Sequence, residues 1–251
     1  LEAGASVFYA DHHFAGDIPQ HENLSAHIDP AADTCTSLIV NRYLEGAHAR
    51  WAVVGAFGDN FDPLAAELGR SLGLDESGLD DLQQLGICLN YNGYGFELDD
   101  LMYHPAELFD MLHPFNDPFD FLREESYQSL LHRYRADIKK SADASPESAD
   151  CVGAIYLLPN DAWARRIVGV MGNDLAKRHP ERAHALLIDM GDGHYRVSVR
   201  APYNAKRGAD ALCRQFPTGG GRQAVAAIVL LTYDTLAEFI EKFHHGFGAS
   251  Q

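Results

Sequence analysis

The chain has 251 residues, which is enough for one large domain or two domains of ordinary size. Apolar residues make up 46% of it and charged residues 22%, as is usual for a globular protein. No run of about 18 apolar residues occurs, so the sequence predicts no membrane-spanning helix.

The formal net charge is −16, and it is unevenly distributed along the chain. Residues 1–150 hold 8 Lys and Arg against 27 Asp and Glu, a net charge of −19. Residues 151–251 hold 12 against 9, a net charge of +3. The acidic half repels a nucleic-acid backbone and suits divalent cations. We therefore expect an anionic ligand to make its direct contacts with the C-terminal half or with a bound metal.

The four cysteines are widely separated and form no Cys-x-x-Cys pair. This pattern argues against a structural zinc site and against a disulfide framework, so we expect free thiols in the reducing cytoplasm. The first residues show no charged segment followed by an apolar run, so no signal peptide is predicted. They also lack an initiator Met, and we expect the chain to be part of a longer protein.

The apolar pattern of the first 140 residues predicts two strands followed by helices. Residues 7–10 are interpreted as a buried strand that ends at Asp11-His12-His13, and residues 24–28 as a second strand. Helices are predicted at residues 34–44, at 51–57, from Asp62 onward, and at 79–89, 105–112 and 119–140. Asp33 or Thr34 is the expected cap of the first helix.

Residues 141–150 are polar and contain Pro146, so they predict a linker between two domains. Beyond the linker, strands are predicted at residues 152–158, 185–189 and 195–200, and helices at 162–177, 209–215 and 236–247. A Gly-Asp-Gly turn separates the last two of these strands and predicts a β-hairpin. Both halves of the chain are therefore interpreted as α/β.

Asp11-His12-His13, at the end of the first predicted strand, is the first candidate site. Asp and His are ligands for Mn²⁺, Zn²⁺ and Fe²⁺, and ligands of open α/β sheets bind beyond the C-terminal ends of the strands. Adjacent strand residues point to opposite sides, so we expect one histidine to bind a metal and the other to face a substrate. The alternative is a surface loop with two solvated histidines.

Two further segments are candidates. Asp59 follows an apolar helix, so the segment that leads to Asp59 is expected to be buried. The alternative is a solvated aspartate beside a helix C-cap glycine. Residues 218–222 form a Thr-Gly-Gly-Gly-Arg run. Its backbone N–H groups can approach an anion closely, and Arg222 can add a bidentate contact. The alternative for this run is a flexible turn.

Together these segments resemble the DHH phosphoesterase superfamily, which includes RecJ-type exonucleases, oligoribonuclease-type nucleases, exopolyphosphatases and manganese pyrophosphatases. Residues 7–13, Val-Phe-Tyr-Ala-Asp-His-His, resemble the motif that names the superfamily, and residues 56–60 resemble its later aspartate motif. Residues 195–200 and 219–224 are similar to the DHH-associated domain, where a Ser-x-Arg strand and a glycine motif hold the phosphate end of a substrate. The resemblance covers nearly the whole chain in the expected order.

The resemblance implies an α/β fold of two domains. Residues 1–140 would be the C-terminal remainder of a parallel-sheet DHH domain, and residues 151–251 a smaller α/β DHH-associated domain. His12 and Asp59 would be metal ligands, His13 would contact the scissile phosphate, and Asp11 would orient the histidines. The substrate-binding residues implied are Ser198, Arg200, Gly219, Gly220, Gly221 and Arg222.

The resemblance also implies hydrolysis of a phosphomonoester or phosphodiester. Two Mn²⁺ or Mg²⁺ ions about 3.5–4 Å apart would activate a bridging water. The expected partner is a small phosphorylated substrate or a short oligonucleotide, with no membrane contact and the oligomeric state left open. One alternative is a non-catalytic nucleotide-binding or single-stranded nucleic-acid-binding protein, motivated by the basic C-terminal half. Another is a scaffold that has lost its site.

The sequence departs from the family pattern at both ends. An Asp-x-Asp motif and a second aspartate motif are expected before Asp11, where only ten residues precede. The family's Gly-Gly-Gly-His ends in Arg222 here, and its Ala-Ala-Gly is replaced by Val225-Ala226-Ala227. Arginine is a fixed cation, which favours phosphate binding over acid–base chemistry. Because two or more of the family's metal ligands are missing before Asp11, we expect this chain alone to bind metal weakly and to turn over slowly or not at all.

Overall fold

The computed structural model describes residues 1–31 and 33–248, which form two compact units. The first unit comprises Leu1–Asn92 and Tyr103–His132. The second comprises Gly93–Met102 and the chain from Arg133 onward. A short segment of the N-terminal half therefore belongs to the second unit, and we call Gly93–Met102 the strap.

The sheet of the first unit contains two parallel strands, β1 (Val7–Asp11) and β2 (Leu24–Ile28). Both strands were predicted, but the prediction that the first is buried is wrong. Val7 is 37% exposed and Phe8 is 47% exposed. The reason is that β1 has a strand neighbour on one edge only within the described residues.

The remaining regular structure of the first unit is helical, and its last helix runs on into the second unit. These helices are α1 (Thr36–Tyr43), α2 (Ala49–Gly58), α3 (Asp62–Ser71), α4 (Glu76–Tyr91), α5 (Pro105–Leu112), α6 (Pro118–Phe121) and α7 (Glu125–Ala142). The helix predicted at residues 119–140 is two helices, α6 and α7, because the chain turns at residues 122–124. The side-chain amide of Gln128 donates a hydrogen bond to the Leu122 carbonyl at this turn. The cap of α1 is Cys35, not Asp33 or Thr34, because the N–H groups of the first turn reach the Cys35 carbonyl.

Helix α2 is the most buried helix segment of the first unit and crosses α4 at two glycines. Its apolar residues Val53, Val54 and Phe57 are almost completely buried. A Cβ atom on Gly86 of α4 would lie 2.3 Å from the Val54 carbonyl oxygen and 2.8 Å from the Gly58 nitrogen. The two backbones are therefore in direct contact, and this crossing sets the position of the C-terminal end of α2.

The second unit contains a mixed six-stranded sheet within its described residues. Its strands are β3 (Ser148–Ala149), β4 (Gly153–Leu158), β5 (Ala183–Asp189), β6 (His194–Arg200), β7 (Gly219–Gly221) and β8 (Val225–Thr232), in the order β3-β4-β5-β6-β8-β7. Strands β4 and β5 are parallel, and all other neighbours are antiparallel. Its helices after α7 are α8 (Ala162–Arg178), α9 (Ala209–Cys213) and α10 (Leu236–Gly248). The predicted α/β class is confirmed.

The C-terminal strands confirm one prediction and correct another. The predicted hairpin of β5 and β6 is confirmed, with Asp189 opposite Tyr195. Strand β8 was not predicted, although Ala226 and Ile228 are buried and their neighbours exposed. In the sequence, residues 225–231 are a short continuous apolar run, and such a run is the signal that is consistent with a strand. The glycine run is neither a loop nor a flexible turn, because it pairs with β8 as the edge strand β7.

The predicted linker lies inside the second unit. Residues 141–150 form the end of α7, a turn and the short strand β3. The boundary between the units falls within α7, between His132 and Arg133. The assignment of residues 1–140 and 151–251 to two functional domains stays a prediction.

Within residues 1–31 and 33–248, no helix is both long enough and apolar enough to cross a bilayer. All four cysteines are free thiols; Cys35, Cys88 and Cys213 are buried, and Cys151 is exposed.

Candidate functional site

Asp11 ends β1, and its carboxylate organises the turn that follows. Oδ1 accepts hydrogen bonds from the backbone N–H of His12 at 2.7 Å and of His13 at 3.1 Å. The same oxygen lies 2.8 Å from Nδ1 of His13. The side-chain bond to His13, followed by the backbone bond from His13, lowers the pKa of Asp11 to about 2. Asp11 is therefore an anion at neutral pH and orients the segment that carries both histidines.

His12 is held by a carbonyl at one ring nitrogen and faces a carboxylate with the other. Nδ1 lies 3.1 Å from the Thr34 carbonyl oxygen, so Nδ1 carries the hydrogen and donates it. Nε2 lies 3.3 Å from Oδ2 of Asp59. In a neutral imidazole two acceptors would then face each other, so a proton or a metal cation is needed between them. A carbonyl that fixes the tautomer of a histidine is typical of metal ligands.

The two histidine rings lie on the same side of the turn. Their centroids are 4.3 Å apart, and one ligand atom from each of Asp11, His12 and His13 lies within 4.8 Å of the others. The prediction that the two histidines point to opposite sides is wrong. Both residues follow the strand in a bend, where the alternation of strand side chains no longer applies.

Asp59 directly follows α2 and serves as its C-cap residue. Its side chain is 48% exposed, whereas that of His12 is only 10% exposed. A pocket of about 310 Å³ adjoins Asp59 between α1, α2 and α4. The crossing of Gly58 and Gly86 places Asp59 beside His12, although these two residues are far apart in sequence.

The donor atoms fit a divalent cation. Imidazole nitrogen and carboxylate oxygen are the ligand types that Mn²⁺ accepts. His12 and Asp59 would hold such an ion, with Asp11 and His13 beside it. The acidic surroundings expected from the charge of residues 1–150 favour the same ligand class.

In the second unit, three residues form a row across one face of the sheet. Ser198 on β6 lies opposite Ala227 on β8, and Ala227 lies opposite Gly220 on β7. Residues directly opposite each other point to the same face, so we call Ser198, Ala227 and Gly220 the Ser198 row. A Cβ atom on Gly220 would meet nothing within 4 Å, so the space above it is open. The Ala227 methyl group stands at the position where the family pattern has glycine.

The other two glycines of the run serve the packing of the sheet. A Cβ atom on Gly219 would lie 1.7 Å from the Cys213 carbonyl oxygen. Gly221 has a φ of 140°, and a Cβ atom there would lie 2.5 Å from Cα of Ala226. Arg222, in contrast, is exposed and forms no ion pair with any residue that the structure describes.

Arg200 is buried and does not project into solvent. It is only 6% exposed, and burial lowers the pKa of its guanidinium. Nε donates to Oδ1 of Asn173 at 2.8 Å, Nη1 to Oγ of Ser198 at 2.8 Å, and Nη2 to the Gly169 carbonyl at 3.2 Å. The guanidinium of Arg200 therefore orients the hydroxyl of Ser198, the β6 member of the Ser198 row.

The sequence carries no signal for three of these contacts. The Thr34 carbonyl that orients His12, the Asn173 amide and the Gly169 carbonyl that hold Arg200 all lie far from their partners in the chain. A backbone carbonyl is present at every residue, so no residue-type pattern marks the one that accepts a given hydrogen bond.

No protein-family model matches the sequence, and no curated protein matches it. A DHH domain of a member of the s1p family of ribosomal proteins matches the fold with a TM-score of 0.62 at 15% identity, covering 97% of this chain and 64% of that chain. The pGpG-specific phosphodiesterase PggH from Vibrio cholerae matches with a TM-score of 0.57 at 10% identity, covering 94% and 82%. Exonuclease RecJ bound to manganese has a TM-score of 0.47 at 16% identity, covering 100% and 71%.

This chain spans 64% of the length of the first of these structures. At identities of 10% and 15%, the first two likenesses concern the fold and leave the reaction open, because one fold supports many chemistries. The residues of the site, and not the fold, therefore bear on which reaction the chain supports.

Proposed function

We propose that this chain, which has the fold of the DHH-domain proteins, is part of a metal-dependent phosphoesterase. The observation that carries the proposal is the orientation of His12. Its Nδ1 is occupied by the Thr34 carbonyl, and its Nε2 faces the Asp59 carboxylate at 3.3 Å. A cation shared by the imidazole and the carboxylate accounts for this arrangement.

Each residue of the first unit has a distinct role in this proposal. His12 and Asp59 hold a Mn²⁺ or Mg²⁺ ion. When bound, the ion supplies Lewis-acid chemistry, because it lowers the pKa of a bound water and offsets charge on phosphoryl oxygens. Asp11 accepts a hydrogen bond from Nδ1–H of His13 at 2.8 Å, so in the protonated imidazole Nε2–H of His13 is available to donate to a phosphate oxygen. The use of two ions rests on the family resemblance.

The phosphate end of the substrate is assigned to the second unit. The Ser198 hydroxyl is oriented by Arg200, and Gly220, two strands away in the same row, has open space where a side chain would stand. Arg222 supplies an exposed cation that no described carboxylate neutralises. These three features favour the binding of a phosphate group over the binding of an apolar ligand.

The test is a titration with Mn²⁺ by calorimetry, combined with hydrolysis of phosphomonoesters, phosphodiesters, pyrophosphate and a 5′-phosphorylated dinucleotide. We expect His12→Ala and Asp59→Asn each to weaken Mn²⁺ binding by at least about tenfold and to abolish any turnover. His132→Ala changes an exposed histidine of α7 and is the matched control, with unchanged binding expected. Unchanged Mn²⁺ affinity in both site variants would contradict the proposal.

The second candidate function is a non-catalytic protein that binds nucleotides or single-stranded nucleic acid. It is favoured by the net charge of +3 on residues 151–251 and by the exposed Arg222. Salt-dependent binding of a short oligonucleotide without metal, together with no hydrolysis of any ester in the panel, supports this candidate over the enzyme. A cytoplasmic location and the oligomeric state stay predictions.

A further inference from the structure

The strap presents an aromatic ring to a cation of the second unit. The guanidinium carbon of Arg196, on β6, lies 4.2 Å from the ring centroid of Phe96. Both side chains are half-buried, so each keeps part of its surface open to a ligand. A planar guanidinium over an aromatic ring is a stacked pair with N–H donors at its edge.

Hydrogen bonds to Asp100 hold the strap in place and give Phe96 a defined position. Asp100 is 3% exposed, and its Oδ2 accepts the N–H of Phe96 at 2.9 Å and of Glu97 at 3.2 Å. Arg165 of α8 donates to both oxygens of Asp100, and Arg166 donates to the Asp100 carbonyl at 2.7 Å. Burial alone would raise the pKa of Asp100, but these hydrogen bonds lower it to about 2.

Arg196 lies on the same face of the sheet as the Ser198 row. It precedes Ser198 by two positions on β6, a distance of about 7 Å along a strand, and alternate residues share a face. The pairing of β6 with β8 shifts register between Tyr195 and Val197, so β8 offers Arg196 no paired residue. Among the described residues, the side chain of Arg196 has no ion pair and no hydrogen bond, so its charge is not neutralised within the unit.

We propose that Phe96 and Arg196 form a nucleobase-binding platform beside the Ser198 row. The inference rests on the proposed function and narrows its substrate class to a nucleotide or a short oligonucleotide. A base has a flat π-face that stacks on an aromatic ring or on a guanidinium, and its polar edge can accept from arginine N–H groups. Pyrophosphate and polyphosphate have no such face and gain nothing from Phe96.

The test compares adenosine 5′-monophosphate with ribose 5-phosphate, which has the same sugar and phosphate but no base. Binding of each to the full chain is measured by calorimetry without metal. We expect the monophosphate to bind about tenfold more tightly, because stacking of one base contributes a factor of at least this order. Phe96→Leu keeps apolar volume and removes the π-face, so we expect it to erase this preference and to leave ribose 5-phosphate binding unchanged.

Two further variants separate stacking from folding. Phe96→Tyr keeps the ring, so the preference for the base should be retained. Phe109→Leu changes a ring that is 62% exposed in the first unit and should have no effect on either ligand. Equal affinity of the unchanged protein for the two ligands overturns the platform, and so does a lack of detectable binding of the monophosphate. The platform is also overturned if Phe96→Leu weakens the binding of both ligands equally.

The measurement is independent of the metal site. A preference for the monophosphate that survives in His12→Ala, in a protein without turnover, supports the platform even where the phosphoesterase proposal fails. Metal-dependent hydrolysis with no preference for the base retains the phosphoesterase proposal and rejects the platform.

Discussion

His12 and His184 differ in how their ring nitrogens are hydrogen-bonded. His12 has a partner at each ring nitrogen and lies at the candidate metal site. His184, on β5, is completely buried, and its Nε2 accepts from Nε of Arg182 at 3.4 Å. Its Nδ1 has no hydrogen-bond partner among the described residues. Desolvation, followed by the charges of Arg182 and His179, lowers the pKa of His184 to about 4.

This shift predicts an acid-sensitive contribution to stability. The unfolded chain takes up the proton near pH 6.5 and the folded chain only near pH 4, so the folded state is favoured above pH 6.5. As the pH falls from 6.5 to 4, this contribution of roughly 3 kcal/mol is lost. We expect urea denaturation to show a loss of about 2–3 kcal/mol between pH 7 and pH 4.5 that is missing in His184→Gln.

The control for this prediction is His132→Gln, which changes an exposed histidine of α7. It should retain the same pH dependence as the unchanged protein. If His184→Gln loses as much stability as the unchanged protein over this pH range, the buried histidine is not the responsible group.

At the scale of elements, the crossing of α2 and α4 is the contact that brings Asp59 to His12. Gly86→Ala places a methyl group 2.3 Å from the Val54 carbonyl oxygen, and the backbone on both sides leaves no room for it. We expect a loss of about 3 kcal/mol in the free energy of unfolding and weaker Mn²⁺ binding, because the helices must separate and move Asp59.

The matched substitution is Gly246→Ala in α10, where an added methyl group meets nothing within 4 Å. This change should be neutral or should stabilise the protein by about 0.5–1 kcal/mol, because alanine favours a helix interior. A Gly86→Ala protein as stable as the unchanged protein would show that α2 and α4 can separate without cost.

The elements also show which patterns predict structure reliably. The helices α2, α4 and α8 and the strands β2 and β6 lie where their apolar periodicity predicted them. Strand β8 was missed because residues 225–231 are all apolar, and a short apolar run does not distinguish a strand from a buried helix segment. In the structure, a bulge in this strand leaves the adjacent residues Val229 and Leu230 both exposed. Strand β7 was not predicted because glycine has low β-propensity, and only pairing with β8 makes the glycine run a strand.

At the scale of the whole molecule, the two units do not follow each other simply along the chain. The strap and the end of α7 belong to the second unit although they precede residue 151. Arg166 of α8 is 4% exposed, and it binds the Asp137 carboxylate and the Asp100 carbonyl. A fragment of residues 151–251 lacks both partners, and a buried guanidinium without them costs about 3–5 kcal/mol.

We therefore expect the fragment of residues 151–251 to lack a cooperative thermal transition by circular dichroism. A fragment of residues 93–251, which retains the strap, α7 and Asp137, should show one. Equal melting temperatures of the two fragments would mean that the strap and α7 contribute nothing to the second unit.

The sequence by itself determined the order of most helices and strands, the acidic and basic halves and the motifs at Asp11–His13, Asp59 and residues 219–222. Periodicity and residue type are local properties, so they can be seen without a fold. Tertiary structure decided that His12 meets Thr34 and Asp59, that Arg200 is buried and donates to Ser198, and that Arg196 lies over the Phe96 ring of the strap. Each of these contacts joins distant segments, and only the packing of the whole chain brings such segments together.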